Sequence, residues 1–171
     1  MTRDEFWALV GTRKSDDDFT ALTADLAGRD PANITAFADH LAELLHALDT
    51  PAHAKAARAH NDWFLYVRCA ALAAGQETYE QVLAHPAELR RFRRREAEHL
   101  LTVAPSAYEM RTGQHWAHET ELSYESGSNL TAWGKSAAFL DTMFDAGIAQ
   151  APSGGVWRKW WTRRAAKTEA R

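Results

Sequence analysis

Apolar side chains recur at intervals of three and four over most of the first 113 residues, the period of an α-helix that turns one face to a core. Thr2 and Glu5 make a capping-box pair, in which each side chain satisfies a free amide at a helix start, and Phe6, Trp7, Leu9 and Val10 follow as an apolar stripe. Ser15 supplies a cap, and Asp16, Asp17 and Asp18 put negative charge at the positive end of a second helix. Its Phe19, Leu22 and Leu26 keep the spacing until Gly28 stops it. Asp30-Pro31 is a cap followed by proline at the first helical position. Ile34, Phe37, Leu41, Leu44, Leu45 and Leu48 then predict a helix over about 31–49, the cleanest amphipathic pattern in the chain. Thr50-Pro51 repeats the start signal before an alanine-rich stretch that reads as helix to about His60.

From Asn61 or Asp62 the pattern changes. Trp63 to Val67 and Cys69 to Ala74 are apolar nearly all round until Gly75, which predicts a central buried helix. Glu77 to Ala84 reads as a short helix with Tyr79, Val82 and Leu83 inward. Pro86 opens a long one bearing Leu89, Phe92, Leu100, Leu101 and Val103, which Pro105 should break or kink before Ser106–Thr112 resumes it. Gln114 to Asn129 has neither helical nor strand period and reads as a long connection, of the kind that carries function or disorder. Thr131 to about Ala146 predicts a last helix, with Trp133, Phe139, Leu140, Met143 and Phe144 inward, ahead of an Ala-Pro-Ser-Gly-Gly linker. No segment alternates for long enough to predict a strand. The expected fold is all-α, a single irregular bundle of seven to nine short helices around the Phe64–Leu72 helix. The body spans 1–150, and a linker with a basic Trp-rich tail spans 151–171.

Length and charge refine this picture. At 171 residues the chain has single-domain size and can bury about two-thirds of its unfolded surface. One cysteine, Cys69, allows no internal disulfide, and the opening Met-Thr-Arg-Asp-Glu is charged where a secretory signal is apolar, so a cytoplasmic location is expected. No stretch reaches the roughly 18 apolar residues of a membrane span. The net charge of -3 hides a division, with residues 156–171 at +5 and the rest at -8. Within the acidic part, Arg90, Arg91, Arg93, Arg94 and Arg95 form a block interrupted only by Phe92, which reads first as a solvated helix face and second as an anion or nucleic-acid contact. The acidity of the whole disfavours nucleic acid.

The candidate chemistry is scattered. His60-Asn61-Asp62-x-x-x-Tyr66-x-Arg68 brings a base, an acid, a phenol and a guanidinium to the start of the central helix. Asp62 and Tyr66, four apart, share a helix face, whereas Arg68 is turned about 120° from Asp62. Charges beside a core are normally paired, so Asp62 and Arg68 read first as caps or partners of other helices. His115 and His118, three apart with Glu119 adjacent, offer two or three ligands to zinc or iron, but no further ligand pattern completes a site and they read first as solvated loop residues. His53 and His60, seven apart, read as surface or packing residues on one side of the alanine-rich helix, and Cys69 as a small core residue. No G-x-S-x-G, P-loop or dinucleotide fingerprint occurs, so no cofactor is expected. In the tail, Trp157, Arg158, Trp160 and Trp161 interleave aromatics with cations. That pattern suits first a helix folded back on the acidic body, then docking to a partner or a second copy of the chain, and last a membrane interface or stacking on bases.

The order of motifs is itself informative. Phe6-Trp7-x-Leu-Val, Ile34-x-x-Phe37-x-x-x-Leu41, Asn61-Asp62-x-Phe64-x-Tyr66-x-Arg68 and Gly75-x-x-x-Tyr79-Glu80 come in this sequence, followed by Glu98-x-Leu-Leu-x-Val-Ala, Ala107-Tyr108 and Thr112-Gly113. Over about residues 4–113 this resembles the bacterial domain-of-unknown-function family 4240. Where that family carries Ser-Asp-Asp-x-Phe, this chain has His60-Asn61-Asp62-x-Phe64, one acidic position fewer. The resemblance implies a small helical bacterial protein and supplies no reaction. The functional expectation is an accessory or interaction protein that binds a protein partner or small ligand. The alternative is a small-molecule-processing enzyme whose pocket uses Asp62, Tyr66 and Arg68 with His60 or His118.

Overall fold

Helices begin where the sequence places its caps. A computed structural model describes residues 1–11 and 15–134. Among these, α1 is Arg3–Val10, α2 Asp16–Ala27, α3 Pro31–Ala47, α4 Pro51–Ala57, α5 Asn61–Ala73, α6 Gln76–Ala84 and α7 Val103–Thr112, with 3-10 helices at Pro86–Phe92 and Glu98–Thr102. No strand occurs among the described residues, and the fold is all-α. Both reciprocal caps form: the Glu5 amide donates to Thr2 Oγ1 and the Thr2 amide to Glu5 Oε2, and Ser15 and Asp18 repeat the exchange. Pro31 and Pro51 sit in the first turns of their helices, where a missing N–H leaves no bond unmade.

The region after Pro86 differs from the expected long helix. An α-helix there would stack Arg90 on Arg94 and Arg91 on Arg94 and Arg95 at i,i+3 and i,i+4 spacing, where like charges repel. The chain instead takes a 3-10 path that lines Leu89 and Phe92 up at i,i+3 and buries both. It turns through Arg93–Ala97 before the second 3-10 helix. Pro105 does not break α7. It is the third residue of the helix, within the turn whose N–H groups have no intrahelical acceptor. The alanine-rich helix also ends earlier than expected, at Ala57, with Arg58 left-handed; His53 and His60 therefore lie on different elements. Residues 131–134 form turns, and the rest of the expected last helix, the linker and the tail with Trp157, Arg158, Trp160 and Trp161 lie outside the described residues.

The core lies around α5, in contact with α3, α4, α6 and both 3-10 helices. Nine of its thirteen residues are buried, from Phe64 through Ala73. Phe6 packs on Phe37 with ring centroids 4.8 Å apart, and Trp7 on Tyr79 at 5.3 Å, so α1 is held by aromatic contacts to α3 and α6. Each such buried ring contributes roughly 1.5–3 kcal/mol by removal from water. No helix among the described residues is long and apolar enough to cross a membrane.

Candidate functional site

A helix leaves its last four carbonyls without intrahelical donors, and at α3 these ends are buried against other elements. Three are met by side chains. Tyr79 on α6 donates its hydroxyl to the Leu44 carbonyl at 3.0 Å, Arg68 on α5 donates Nη1 to the Leu45 carbonyl at 2.7 Å, and Asn129 donates Nδ2 to the His46 carbonyl at 3.1 Å. A cation at this helix end also complements the macrodipole. Arg68 is fully buried, stacks over the Phe64 ring at 4.6 Å, and uses Nη2 on the Tyr124 carbonyl (2.9 Å) and Ser126 Oγ (3.1 Å). Its Nε has no hydrogen-bond partner among the described residues.

Asp49, just past α3, is the other fully buried charge among the described residues. It accepts from the Gly127 amide (2.9 Å), the Asn129 amide (2.9 Å) and the Trp133 indole N–H (3.1 Å). Ser126 Oγ donates in turn to the Asn61 carbonyl at 2.7 Å, and His46 Nδ1 donates to the Ser123 carbonyl at 2.7 Å. Asn61 has φ +52°, a left-handed conformation that asparagine tolerates better than most residues. Gly127 has φ +87° with open space where a Cβ would sit, so a side chain there would meet conformational strain but no clash. The segment read as a connection, 114–129, is thus an ordered strap fastened by Asp49 and Arg68.

Of the sequence-selected residues, Asp62 and Tyr66 stay on one face of α5, and the others separate around this strap. Asp62 is exposed in the first turn of α5, which corrects the expectation that its charge is buried beside the core; of the cap and the partner expected for it, its place at the positive end of the helix is nearer the cap. His60 is exposed at the N-cap and its side chain makes no cap bond. Tyr66 donates its hydroxyl to Glu98 Oε1 at 3.0 Å, and that bond to a carboxylate raises its pKa. Arg68 faces the strap on the other side of the helix, as its spacing from Asp62 requires. His115 pairs with Glu109 (3.0 Å) and His118 with Asp39 (2.7 Å), so the two imidazoles meet different carboxylates on different helices. No group of three His, Cys, Asp or Glu side chains placed to hold a metal occurs among the described residues. Buried His53 bridges Thr50 Oγ1 (2.8 Å) and the Val82 carbonyl (3.0 Å), and burial lowers its pKa. Cys69 is fully buried and its thiol is pushed up to about 12 by desolvation, far from a nucleophile's range.

Two participants were not marked in the sequence. Asp49 sits between Leu48 and Thr50-Pro51 and looks like one more helix-start residue; the only trace of its role is the Ser- and Gly-rich stretch that needs acceptors elsewhere. Glu125, partly buried on the strap, has its pKa raised by desolvation first and then by Asp62, with Arg68 opposing. Its folded state therefore binds more protons than the unfolded chain just above the ordinary glutamate value, and stability falls as pH rises through that window. Glu125→Gln is expected to melt higher than the wild type at pH 7, with the gain shrinking towards pH 4, as thermal unfolding across pH will show.

The arrangement defines a strapped all-α bundle. The chain belongs to the family described as Protein of unknown function (DUF4240), whose model matches residues 1–110. No curated protein and no solved structure matches the chain. The matched part holds Asp49 and Arg68 and ends before the strap that they fasten.

Proposed function

We propose that the protein is a small bacterial accessory protein of the cytoplasm, which binds a protein partner or small ligand without covalent chemistry. One observation supports this above others: the buried polar groups beside the core, Asp49, Arg68 and His53, are each taken up by structural hydrogen bonds, while His60 and Asp62 are exposed at the start of α5 and His115 is exposed elsewhere, on Glu109. Trp157, Arg158, Trp160 and Trp161 are, in this reading, the segment that touches a partner, a second copy included. The enzymatic alternative draws on the raised carboxyl of Glu125 near Asp62, since a general acid needs such a shift.

Incubation of the purified protein with fractionated small-molecule and protein extracts, followed by mass spectrometry of retained and released species, separates the two readings. The expected result is a retained species recovered chemically unchanged. A compound consumed with a matching product, and nothing retained, would replace the binding reading with the enzymatic one.

A further inference from the structure

The 3-10 path after Pro86 and the turn that follows it bring arginines of the block to one surface. Arg90, Arg91, Arg93 and Arg94 line one concavity of about 410 Å³. The turn beneath them is tied at several points. The Arg93 amide donates to the Arg90 carbonyl (3.4 Å) and the Arg95 amide to the Phe92 carbonyl (2.7 Å), while the indole N–H of Trp63 donates to the Arg93 carbonyl (3.3 Å). Phe92 is buried between them and anchors the turn to the core. The fixed backbone leaves only the exposed arginine side chains to be ordered on binding.

Charge sets the ligand class. Arg91 is engaged by Glu88, Nε to Oε2 at 3.2 Å, and the other three lining arginines form no ion pair with a described residue. The cup therefore presents about three uncompensated positive charges on an otherwise acidic body. A single phosphate group brings only about −1.5 to −2 at pH 7, so one such group leaves part of the cup unmatched. Two linked phosphates match it, and guanidinium groups bind phosphate oxygens in pairs. We infer that the arginine cup is a binding site for a diphosphate group, carried either by a free inorganic anion or by a nucleoside diphosphate. This rests on the binding reading above and names its ligand. Trp63, 39% exposed and bonded to the same turn, offers the nucleoside form an aromatic neighbour.

The test is calorimetric titration of the full-length protein with orthophosphate, pyrophosphate, ADP and a short single-stranded oligonucleotide at fixed ionic strength. Pyrophosphate is expected to bind at least about tenfold more tightly than orthophosphate, and the Arg90→Gln/Arg94→Gln variant to lose about tenfold or more, the scale of lost charge-assisted hydrogen bonds. Arg95→Gln, outside the lining, should stay within about twofold. These arginines are exposed, so the variants keep the fold, and circular dichroism verifies it. ADP binding more tightly than pyrophosphate, with the excess lost in Trp63→Leu, marks the nucleotide as the source; equal binding marks the free anion. The inference is overturned by no binding, by equal affinity for orthophosphate, by tighter binding of the oligonucleotide, or by an Arg95→Gln loss as large as that of the cup variant. Phosphorus NMR of the titrated pyrophosphate keeps the two claims apart: cup-dependent hydrolysis upholds the site and overturns the non-catalytic reading, whereas no binding overturns the site alone.

Discussion

Asp49→Ala is expected to lower the melting temperature by roughly 10 °C. The carboxylate is fully buried and accepts from two strap amides and the Trp133 indole. Hydrogen bonds to a charged group are worth about 1.5–3 kcal/mol each, but strap donors freed near the surface recover water, so a loss of about 3–5 kcal/mol is expected. At this chain length each kcal/mol moves the midpoint by about 2–4 °C. Removing Asp49 also takes away a carboxylate whose charge favours the buried Arg68. Asp49→Asn keeps one carbonyl oxygen as an acceptor and should lie between alanine and the wild type. Thermal unfolding monitored at 222 nm, the helix signal, reads all three; an Asp49→Ala midpoint within a degree or so of the wild type would remove the carboxylate from any role in fastening the strap.

Arg68→Met is expected to have an effect of the same size, about 3–5 kcal/mol, because it strips the donor from a buried helix end and from the strap at once. The methionine can fill the space over Phe64, so lost packing is a small part of the cost. Arg68→Lys should rescue little: one ammonium on a flexible stem cannot replace a fork that reaches the Leu45 carbonyl on one side and Tyr124 and Ser126 on the other. Asp62→Asn serves as the contrast. Its carboxylate is exposed, and a change within about 0.5 kcal/mol is expected. In the Asp49→Ala/Arg68→Met double variant the losses should fall short of additive, because both single changes release the same strap. Full additivity, measured by denaturant titration, would mean that the two residues hold independent parts of the molecule.

The helices with both a cap and a 3.6-residue apolar period were legible in advance, because both signals are local. Thr2 with Glu5, Ser15 with Asp18, and Pro31 each mark a start that the structure uses. The misread region had a real apolar spacing from Leu89 to Val103, but the arginine block made an α-helix there electrostatically costly, and a 3-10 path buries Leu89 and Phe92 equally well. Pro105 departs from its expected effect for a related reason: proline breaks a helix interior but not its first turn, and no local signal marks Val103 as the residue that opens α7. Arg68 was visible because it stands alone in an apolar run. Asp49 was not, since its burial depends on a segment about 80 positions away folding over it, and no local pattern records that. Asp62 looks equivalent to Arg68 by neighbourhood, yet six residues along the helix turn the side chain by about 120°, enough to put one at the surface and the other under the strap.

Asp49 and Arg68 are occupied in fastening residues 123–133 to α3 and α5. Amide hydrogen exchange at Gly127 and Asn129 tests it most directly, since both amides donate to Asp49. Slow exchange of both is expected in the wild type, and fast exchange in Asp49→Ala under conditions where the amides of α3 and α5 remain protected. Fast exchange of Gly127 and Asn129 in the wild-type protein, or protection unchanged by Asp49→Ala, would mean that Asp49 does not fasten this segment.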